Sequence, residues 1–109
     1  MLRSFDYAAA AALGRQEESA RAPLAPWADT WVREISAAFL AGYLEIARGA
    51  AFLPPHPADG RLLLEVLLLE KVIYEIGYEL NYRPDFLAIP LRAICHLIDK
   101  PGSLLSAWD

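Results

Sequence analysis

The feature that most constrains this chain is a long helical pattern, residues 61–81, that is apolar on two opposite sides. One stripe has residues spaced alternately by four and three, and it contains Leu62, Val66, Leu69, Ile73, Ile76 and Leu80. The roughly opposite side carries Leu64, Leu67, Lys71, Tyr74 and Tyr78. The flank between them is occupied by Leu68, Glu75 and Glu79. A helix that is apolar on both sides is normally buried on both sides. We therefore predict that the first stripe forms the domain core and that a neighbour covers the second side.

The composition agrees that the chain has more apolar surface than one small domain usually carries. Hydrophobic residues make up 56% of the 109 residues, and mean hydropathy is +0.25. The fraction stays above the usual value of about 45–50% when Tyr is exchanged for Gly to match the usual apolar set. Small domains have proportionally more surface to cover with polar groups. The excess indicates a partner surface, a membrane or a missing part of the same protein.

Membrane insertion is the weakest of these three explanations. Charged residues interrupt the most apolar run, residues 62–76, at Glu65, Glu70, Lys71 and Glu75, whereas spanning needs about 20 predominantly apolar residues. The N-terminal residues lack the leucine-rich core of an export signal, and the single Cys95 excludes an internal disulfide framework. We expect a cytoplasmic protein with no membrane partner. Nucleic acid is not an expected partner either, because the net charge is -4 and the basic residues are scattered.

Helical patterns, with no convincing strand, predict an all-α fold, a compact bundle of four to five helices in a single domain over residues 1–109. The first helix covers residues 1–13, with Gly14 at its end, and residues 14–26 form a mobile connection. The second covers about residues 27–51 and packs through Trp31, Ile35, Ala38, Gly42 and Ile46. A proline-rich loop, residues 52–60, precedes the third helix, residues 61–81. A short helical turn begins at Pro84, and residues 91–99 form a last helix that buries Leu91, Ile94 and Ile98. The tail forms one turn at most, docking Leu105 and Trp108.

Known catalytic motifs are absent from the sequence. It contains no phosphate-binding glycine loop, no CxxC, no HExxH and no nucleophile elbow. Cys95 and His96 are adjacent, which turns them about 100° apart on a helix and prevents activation of the thiol. We expect Cys95 to be a small core residue and His96 to lie at the surface or to cap the helix. His56 lies among prolines without the further ligands that a metal site needs, so we expect a loop histidine and no catalytic or metal-binding residue.

A polar and aromatic group on the third helix is the candidate binding site. Lys71, Tyr74 and Tyr78 share one side, and around them lie Glu70, Glu75, Glu79, Asn81 and Arg83. Aromatic rings interleaved with carboxylates and an amide suit hydroxyl-rich ligands such as sugars. The alternative is a structural network in which Lys71 pairs with Glu75, and Arg83 bonds Glu79 or a helix C-terminus.

The segment LLLEKVIYEIGYELNYRPDFLAIPLRAI resembles the signature LLEKALYELRYELNNRPDWLRIPLRGI near the end of maltokinases and of the kinase-like domains fused to trehalose synthases. MLRSFDYAAAAAL is similar to the helix that follows DVAG in the same proteins, and AFLAGYLEIARG also resembles the family. The resemblance extends over the whole chain. It implies the end of the helical C-terminal lobe of an aminoglycoside-phosphotransferase or protein-kinase-like fold.

The resemblance implies that the parent enzyme uses ATP and Mg²⁺ to phosphorylate maltose at its anomeric hydroxyl, which gives maltose 1-phosphate for trehalose-to-glucan metabolism. The family's HGDxHxxQ and DFEGEP segments have no counterpart here, so we expect this chain to hold no cofactor and to be inactive alone. Met1 matches an internal family position, which suggests a fragment whose partner is the missing N-terminal part of the same kinase.

The family signature also supplies candidate maltose contacts, because its helix lies beside the acceptor-sugar groove of the kinase fold. The residues that match it and form the candidate substrate site are Lys71, Tyr74, Glu75, Tyr78, Glu79, Asn81 and Arg83. Among them, we expect Lys71, Tyr74 and Tyr78 to contact the sugar. The alternative function is a free-standing helical interaction module that forms a homodimer through the second apolar face.

Overall fold

The computed structural model describes residues 1–102, and over that range it contains helices and no strand. Four α-helices follow one another: α1 at Leu2–Gly14, α2 at Glu18–Ala47, α3 at Pro57–Tyr82 and α4 at Ala88–Asp99. A 3-10 helical turn at Pro84–Phe86 joins α3 to α4. The predicted all-α bundle of four to five helices is confirmed.

The first helix is the central element of the bundle. It packs along α2 on one side and meets α3 and α4 on the other, while α3 pairs with α4 and with the 3-10 turn. No Cα atom of α2 lies within 8 Å of one in α3 or α4. The bundle is therefore held together through α1, and α2 reaches α3 and α4 only through side chains.

One leucine from each of three helices forms the core. Leu2 of α1, Leu40 of α2 and Leu68 of α3 are buried together, and Phe5, Leu64 and Leu97 pack against them. The Phe5 ring also meets two aromatic rings of α2 edge-on, with centroids 6.3 Å from Trp31 and 5.8 Å from Phe39. The core is thus a small cluster around Leu2, at the start of α1.

The boundaries of α1 are confirmed, but those of α2 differ from the prediction at both ends. The predicted connection at residues 14–26 is helical from Glu18 onward, so only a short link remains. Pro23 and Pro26 lie inside α2 but are exposed, and each removes one backbone hydrogen bond near the start of the helix. Arg21 ties this first part to α1 by donating to the Gly14 and Gln16 carbonyls.

At its other end α2 stops at Ala47, before the predicted Ala51, because Gly49 has φ 83°. This left-handed conformation suits glycine and turns the chain out of the helix.

The buried side of α2 is also nearly opposite the predicted packing side. Its buried residues are Ser36, Leu40, Leu44 and Ala47. The predicted side exposes Trp31, and Ile46 is 87% exposed. Both sides of α2 carry apolar residues, so their spacing did not determine which side meets α1.

The third helix begins at Pro57, where the prediction placed a loop, and ends one residue beyond the predicted Asn81. Proline suits the first helical position because the backbone N–H that it lacks would have no partner inside the helix. The loop is accordingly short and lies between Ala47 and Pro57.

The apolar stripe of α3 that was predicted to be the domain core is largely exposed. Leu62, Val66, Leu69, Ile73 and Leu80 are between 39% and 60% exposed. The buried residues are those of the predicted flank, Leu68, Glu75 and Glu79, together with Gly60 and Val72. The predicted second side is exposed as well, at Leu67, Tyr74 and Tyr78. The prediction was wrong because α1 packs on the flank, where its polar side chains reach the two carboxylates of α3.

The last helix begins at Ala88, earlier than predicted, and ends at Asp99 as predicted. Pro90 is accommodated as its third residue, where the missing N–H has no partner within the helix. The predicted burial of Leu91 and Ile98 is wrong, because both are exposed. Cys95 is also exposed and not part of the core, whereas His96 lies at the surface as predicted. The predicted docking of Leu105 and Trp108 lies outside the described residues.

Gly77, in the interior of α3, gives the first testable prediction. A Cβ atom added there would meet nothing within 4 Å. Because glycine in a helix interior costs about 1 kcal/mol relative to alanine, we expect Gly77→Ala to raise the free energy of unfolding by about that amount. Urea denaturation measures it. Gly49→Ala is the matched control and is expected to lose stability, because Gly49 has a positive φ. A loss of stability in Gly77→Ala would contradict the open environment of this position.

Candidate functional site

Two buried carboxylates of α3 lie behind the exposed side chains of the candidate site and bond residues of α1 and the end of α3. The first, Glu75, accepts hydrogen bonds from Nε and Nη2 of Arg3, at 3.0 and 2.9 Å to the same Oε2 atom. Arg3 also bonds Asp6, one turn further along α1. Both side chains of the Arg3–Glu75 pair are mostly buried. This pair joins residues far apart in sequence and fixes α1 against α3.

The second carboxylate, Glu79, is only 1% exposed and receives three hydrogen bonds. The Tyr7 hydroxyl donates to Oε1 at 3.2 Å. Arg83 donates to both carboxylate oxygens, with Nη2 at 2.6 Å from Oε1 and Nε at 3.1 Å from Oε2. Such two-point contacts orient a guanidinium firmly. Glu79 therefore holds Arg83 in place at the end of α3.

The predicted structural network is thus half confirmed. Arg83 bonds Glu79 as the alternative proposed. Glu75, however, pairs with Arg3 and not with Lys71, because α1 lies on the Glu75 side of α3 while Lys71 lies on the exposed side. Arg3 and Tyr7 were missed as parts of the site. The only signal for them was the polar group Arg3, Asp6 and Tyr7 at helical spacing on α1.

Burial and charge shift the pKa of both α1 donors. Burial by itself would lower the pKa of the Arg3 guanidinium, but hydrogen bonds to Glu75 and Asp6 and the charges of these carboxylates outweigh it, so the pKa is raised. Burial, the negative charges of Glu75 and Glu79 and the hydrogen bond to Glu79 raise the pKa of Tyr7 to about 12, against the opposing charge of Arg3. Arg3 therefore stays charged and Tyr7 stays neutral over the physiological range.

The raised pKa of Tyr7 predicts a loss of stability at alkaline pH. Tyrosine in the unfolded chain ionises near pH 10. The folded pKa is higher, about 12. The neutral Tyr7 hydroxyl therefore contributes stability that is fully present below about pH 10 and is lost as pH rises to about 12. The difference between the absorbance titrations of the native chain and Tyr7→Phe should have a midpoint near 12. A midpoint near 10 would contradict the environment that we describe for Tyr7.

Aromatic rings form a ladder along the exposed side of α3. The Tyr74 and Tyr78 rings stack with centroids 6.3 Å apart and planes 24° apart. The Tyr78 and Tyr82 centroids are 4.9 Å apart, and the Lys71 ammonium lies 4.9 Å from the centre of the Tyr74 ring. All three rings are exposed. We call Lys71, Tyr74, Tyr78 and Tyr82 the aromatic ladder.

Arg83 connects the aromatic ladder to the buried carboxylates. Its guanidinium carbon lies 5.5 Å from the centre of the Tyr78 ring and 4.7 Å from that of Phe86, which follows in the 3-10 turn. These are distances at which cation–π attraction acts. The same side chain therefore bonds Glu79 on one side and lies against two exposed rings on the other.

The structure divides six of the seven predicted site residues into two groups and leaves Asn81 apart from both. Lys71, Tyr74 and Tyr78 lie together on the exposed ladder, with Arg83 beside them. Glu75 and Glu79 are buried toward α1. The Asn81 side-chain amide donates at 2.8 Å to the Gly77 carbonyl of its own helix. This arrangement can present flat aromatic faces and cationic groups to a ligand, with the two carboxylates acting as support.

A concave region lies between α2 and α4. It is a cleft of about 580 Å³ whose lining includes Leu2, Leu68 and Val72. Arg92 of α4 bonds Asp29 of α2 at 2.7 Å. The Ser36 hydroxyl also faces this region; it is 1% exposed and has no hydrogen-bond partner within the described part of the chain. An unpaired buried hydroxyl lowers stability.

Most substitutions of buried residues lower the free energy of unfolding, but a substitution at Ser36 is expected to raise it. We expect Ser36→Ala to raise the free energy of unfolding by about 1 kcal/mol, because the change removes a buried hydroxyl that bonds nothing. Thermal denaturation followed by circular dichroism measures it. Ser4→Ala, at an exposed serine of α1, is the matched control and should stay within about 0.5 kcal/mol of the native chain. A clear loss of stability in Ser36→Ala would contradict the unpaired hydroxyl.

Over residues 1–102 no helix combines the length and apolar character needed to cross a membrane. Among the same residues, no three side chains of the kinds that bind metals converge on one point. Neither the known protein-family models nor the solved structures include a match to this chain.

Proposed function

We propose that this chain is the C-terminal helical subdomain of a maltokinase-like sugar kinase, in which it supports the acceptor-sugar groove. The proposal rests on one observation about α3. This single helix combines the segment that resembles the family signature with an exposed aromatic ladder and two exposed apolar sides. In the complete enzyme, upstream residues would bind ATP and Mg²⁺ and transfer the phosphoryl group to maltose. This chain would supply the helical wall beside the sugar.

The extent of the exposed surface supports a role as part of something larger. The accessible surface is 7468 Å², whereas a compact monomer of 12.1 kDa exposes about 6,000 Å². The radius of gyration is 15.1 Å, against about 13 Å for a compact domain of this length. The exposed large side chains include residues of α2, α3 and α4. Surface of this kind in soluble proteins marks interaction sites.

The aromatic ladder favours a carbohydrate as the ligand. Exposed rings offer flat faces for the apolar C–H faces of a sugar, while Lys71 and Arg83 offer hydrogen-bond donors to its hydroxyl groups. Glu79 holds Arg83 in a set position, so less side-chain freedom is lost on binding. Under this proposal Tyr74 and Tyr78 stack on the sugar, and Glu75 and Glu79 position the surface without touching it.

The reading frame upstream of the Met1 codon is the first test. We expect it to continue in frame with an acidic DFEG-like segment, preceded by an HGDxHxxQ-like segment. An in-frame stop, with no such coding sequence nearby, would overturn the proposal.

Substitutions in the aromatic ladder form the second test, made in the polypeptide that includes the upstream region. We expect Tyr74→Ala and Tyr78→Ala each to raise the KM for maltose about tenfold, with the KM for ATP unchanged, because each removes one stacking surface. Tyr43→Ala is the matched control, since Tyr43 is an exposed tyrosine of α2. An unchanged KM for maltose in both ladder variants would remove the sugar role from these residues.

A second function, a free-standing helical module that forms a homodimer, is favoured by the apolar surface that α3 exposes. The two proposals differ in the expected state of this chain alone. Native mass spectrometry that shows a stable dimer, lost on substitution of Tyr74 and Tyr78, would favour the module. A monomer that binds hydrophobic dyes would favour the kinase subdomain.

A further inference from the structure

The exposed apolar stripe of α3 has the spacing of a coiled-coil seam. Leu62, Leu69 and Ile76 occupy one position of a seven-residue repeat, and Val66, Ile73 and Leu80 occupy the other. These are the d and a positions, and β-branched residues fill two of the three a positions. We call these six residues the α3 seam. All of its members except the half-buried Ile76 are exposed, so its length of three repeats is open to a second helix.

The charges beside the α3 seam are all of one sign. The flanking g and e positions that are not covered by α1 carry Glu65 and Glu70, together with Leu63 and Gly77. The other flanking residues, Val72 and Glu79, are buried in the bundle. Lys71 lies on the opposite side of the helix, in the aromatic ladder. A helix docked on the seam would therefore face two carboxylates, and none of the flanking e and g positions of α3 carries a cation.

This charge pattern disfavours a second copy of the chain as the occupant. In a parallel pair of α3 helices, Glu65 of one copy would meet Glu70 of the other, because g positions contact the e positions of the next repeat. In an antiparallel pair that overlaps the whole seam, Glu70, which lies near the centre, would meet Glu70 of the other copy. Like charges in such positions oppose association and reject wrong partners.

We propose that the α3 seam binds one amphipathic protein helix whose apolar face spans three seven-residue repeats and is flanked by lysine or arginine. The apolar face of that helix would cover the exposed leucine and isoleucine side chains. Its flanking cations would pair with Glu65 and Glu70. Gly77, whose Cβ position is open, leaves room for close approach at one end of the seam. This goes beyond the proposed function, since it holds whether the helix belongs to the same kinase or to another protein.

Two synthetic peptides of three repeats test the charge preference. Both carry isoleucine at a and leucine at d, and they differ only at e and g, which are lysine in one and glutamate in the other. Calorimetry at low salt should show the lysine peptide binding the chain at least about tenfold more tightly. The preference should shrink at high salt, since the Debye length falls from about 10 Å at 0.1 M to about 3 Å at 1 M. Equal affinity for both peptides, or binding of neither, would overturn the proposal.

Paired substitutions locate the binding surface. Ile73→Glu should reduce affinity for the lysine peptide at least about tenfold. Leu67→Glu should leave it unchanged, since Leu67 and Ile73 are similarly exposed, at 49% and 56%, but lie on different sides of α3. Glu70→Lys should weaken the preference for lysine over glutamate. An unaffected Ile73→Glu variant would overturn the assignment. A native dimer that Ile73→Glu dissociates would also overturn it, by making a second copy the occupant.

Discussion

Replacing Arg3 with leucine is expected to lower the free energy of unfolding by about 3–5 kcal/mol. The substitution leaves Glu75 buried without the guanidinium that donates two hydrogen bonds to it. It also removes the partner of Asp6. Breaking a buried ion pair from one side is costly because the remaining charge stays out of water. Urea denaturation at neutral pH measures the effect.

Two further variants test whether the loss of stability in Arg3→Leu comes from breaking the buried ion pair. Arg33→Leu removes an exposed pair with Glu34, and we expect it to cost less than about 1 kcal/mol. Adding Glu75→Leu to Arg3→Leu should recover much of the lost stability, because no charge is then left buried at that position. If Arg3→Leu costs no more than Arg33→Leu, Arg3 does not fix α1 to α3.

The second large effect is expected at Leu40, the residue through which α2 enters the core. Leu40→Ala should lower the free energy of unfolding by about 2–5 kcal/mol, because it removes buried methyl groups and leaves a cavity beside Leu2 and Leu68. No Cα atom of α2 lies within 8 Å of a Cα atom in α3 or α4, so α2 meets the rest of the core through side chains such as Leu40. Chemical denaturation monitored by tryptophan fluorescence measures the loss.

The control for Leu40 lies on the same helix. Ile46 is 87% exposed, so Ile46→Ala should change stability by no more than about 0.5 kcal/mol. A larger loss from Ile46→Ala than from Leu40→Ala would mean that the predicted packing side of α2 was right and that the buried side described here is not the one that meets α1.

Local signals in the sequence predicted the helical elements well. The all-α fold follows from spacing alone, and the ends of α1 and α4 coincide with Gly14 and Asp99 as expected. The start of α2 was not predicted, because prolines at exposed positions near its beginning interrupt single hydrogen bonds and do not end the helix. Local spacing thus predicts which segments are helical, whereas the first and last residues of each helix also depend on contacts with the rest of the chain.

The buried side of each long helix could not be predicted from the same signals. Both α2 and α3 carry apolar residues on more than one side, so periodicity offered several choices of similar quality. The choice in α3 depends on Arg3 and Tyr7 of α1 reaching Glu75 and Glu79. Contacts between residues this far apart in the sequence leave no periodic signal. The α3 seam was predicted to be the core but is exposed, and we propose it as the surface that binds a partner helix.

The candidate site was predictable to a similar degree. Helical spacing correctly placed Lys71, Tyr74 and Tyr78 on one side of α3. Spacing did not show that Glu75 is partnered by Arg3, nor that Arg83 lies between Glu79 and two rings. The aromatic ladder and the α3 seam lie on different sides of the same helix, so one helix could line a ligand groove and bind a partner helix at once.

Formation of maltose 1-phosphate by the polypeptide that includes the upstream region tests the central proposal most directly. We expect ATP- and Mg²⁺-dependent phosphorylation of maltose by that polypeptide and none by residues 1–109 alone. A folded upstream-extended polypeptide that binds ATP but leaves maltose unphosphorylated would contradict the assignment of this chain to a maltokinase-like enzyme.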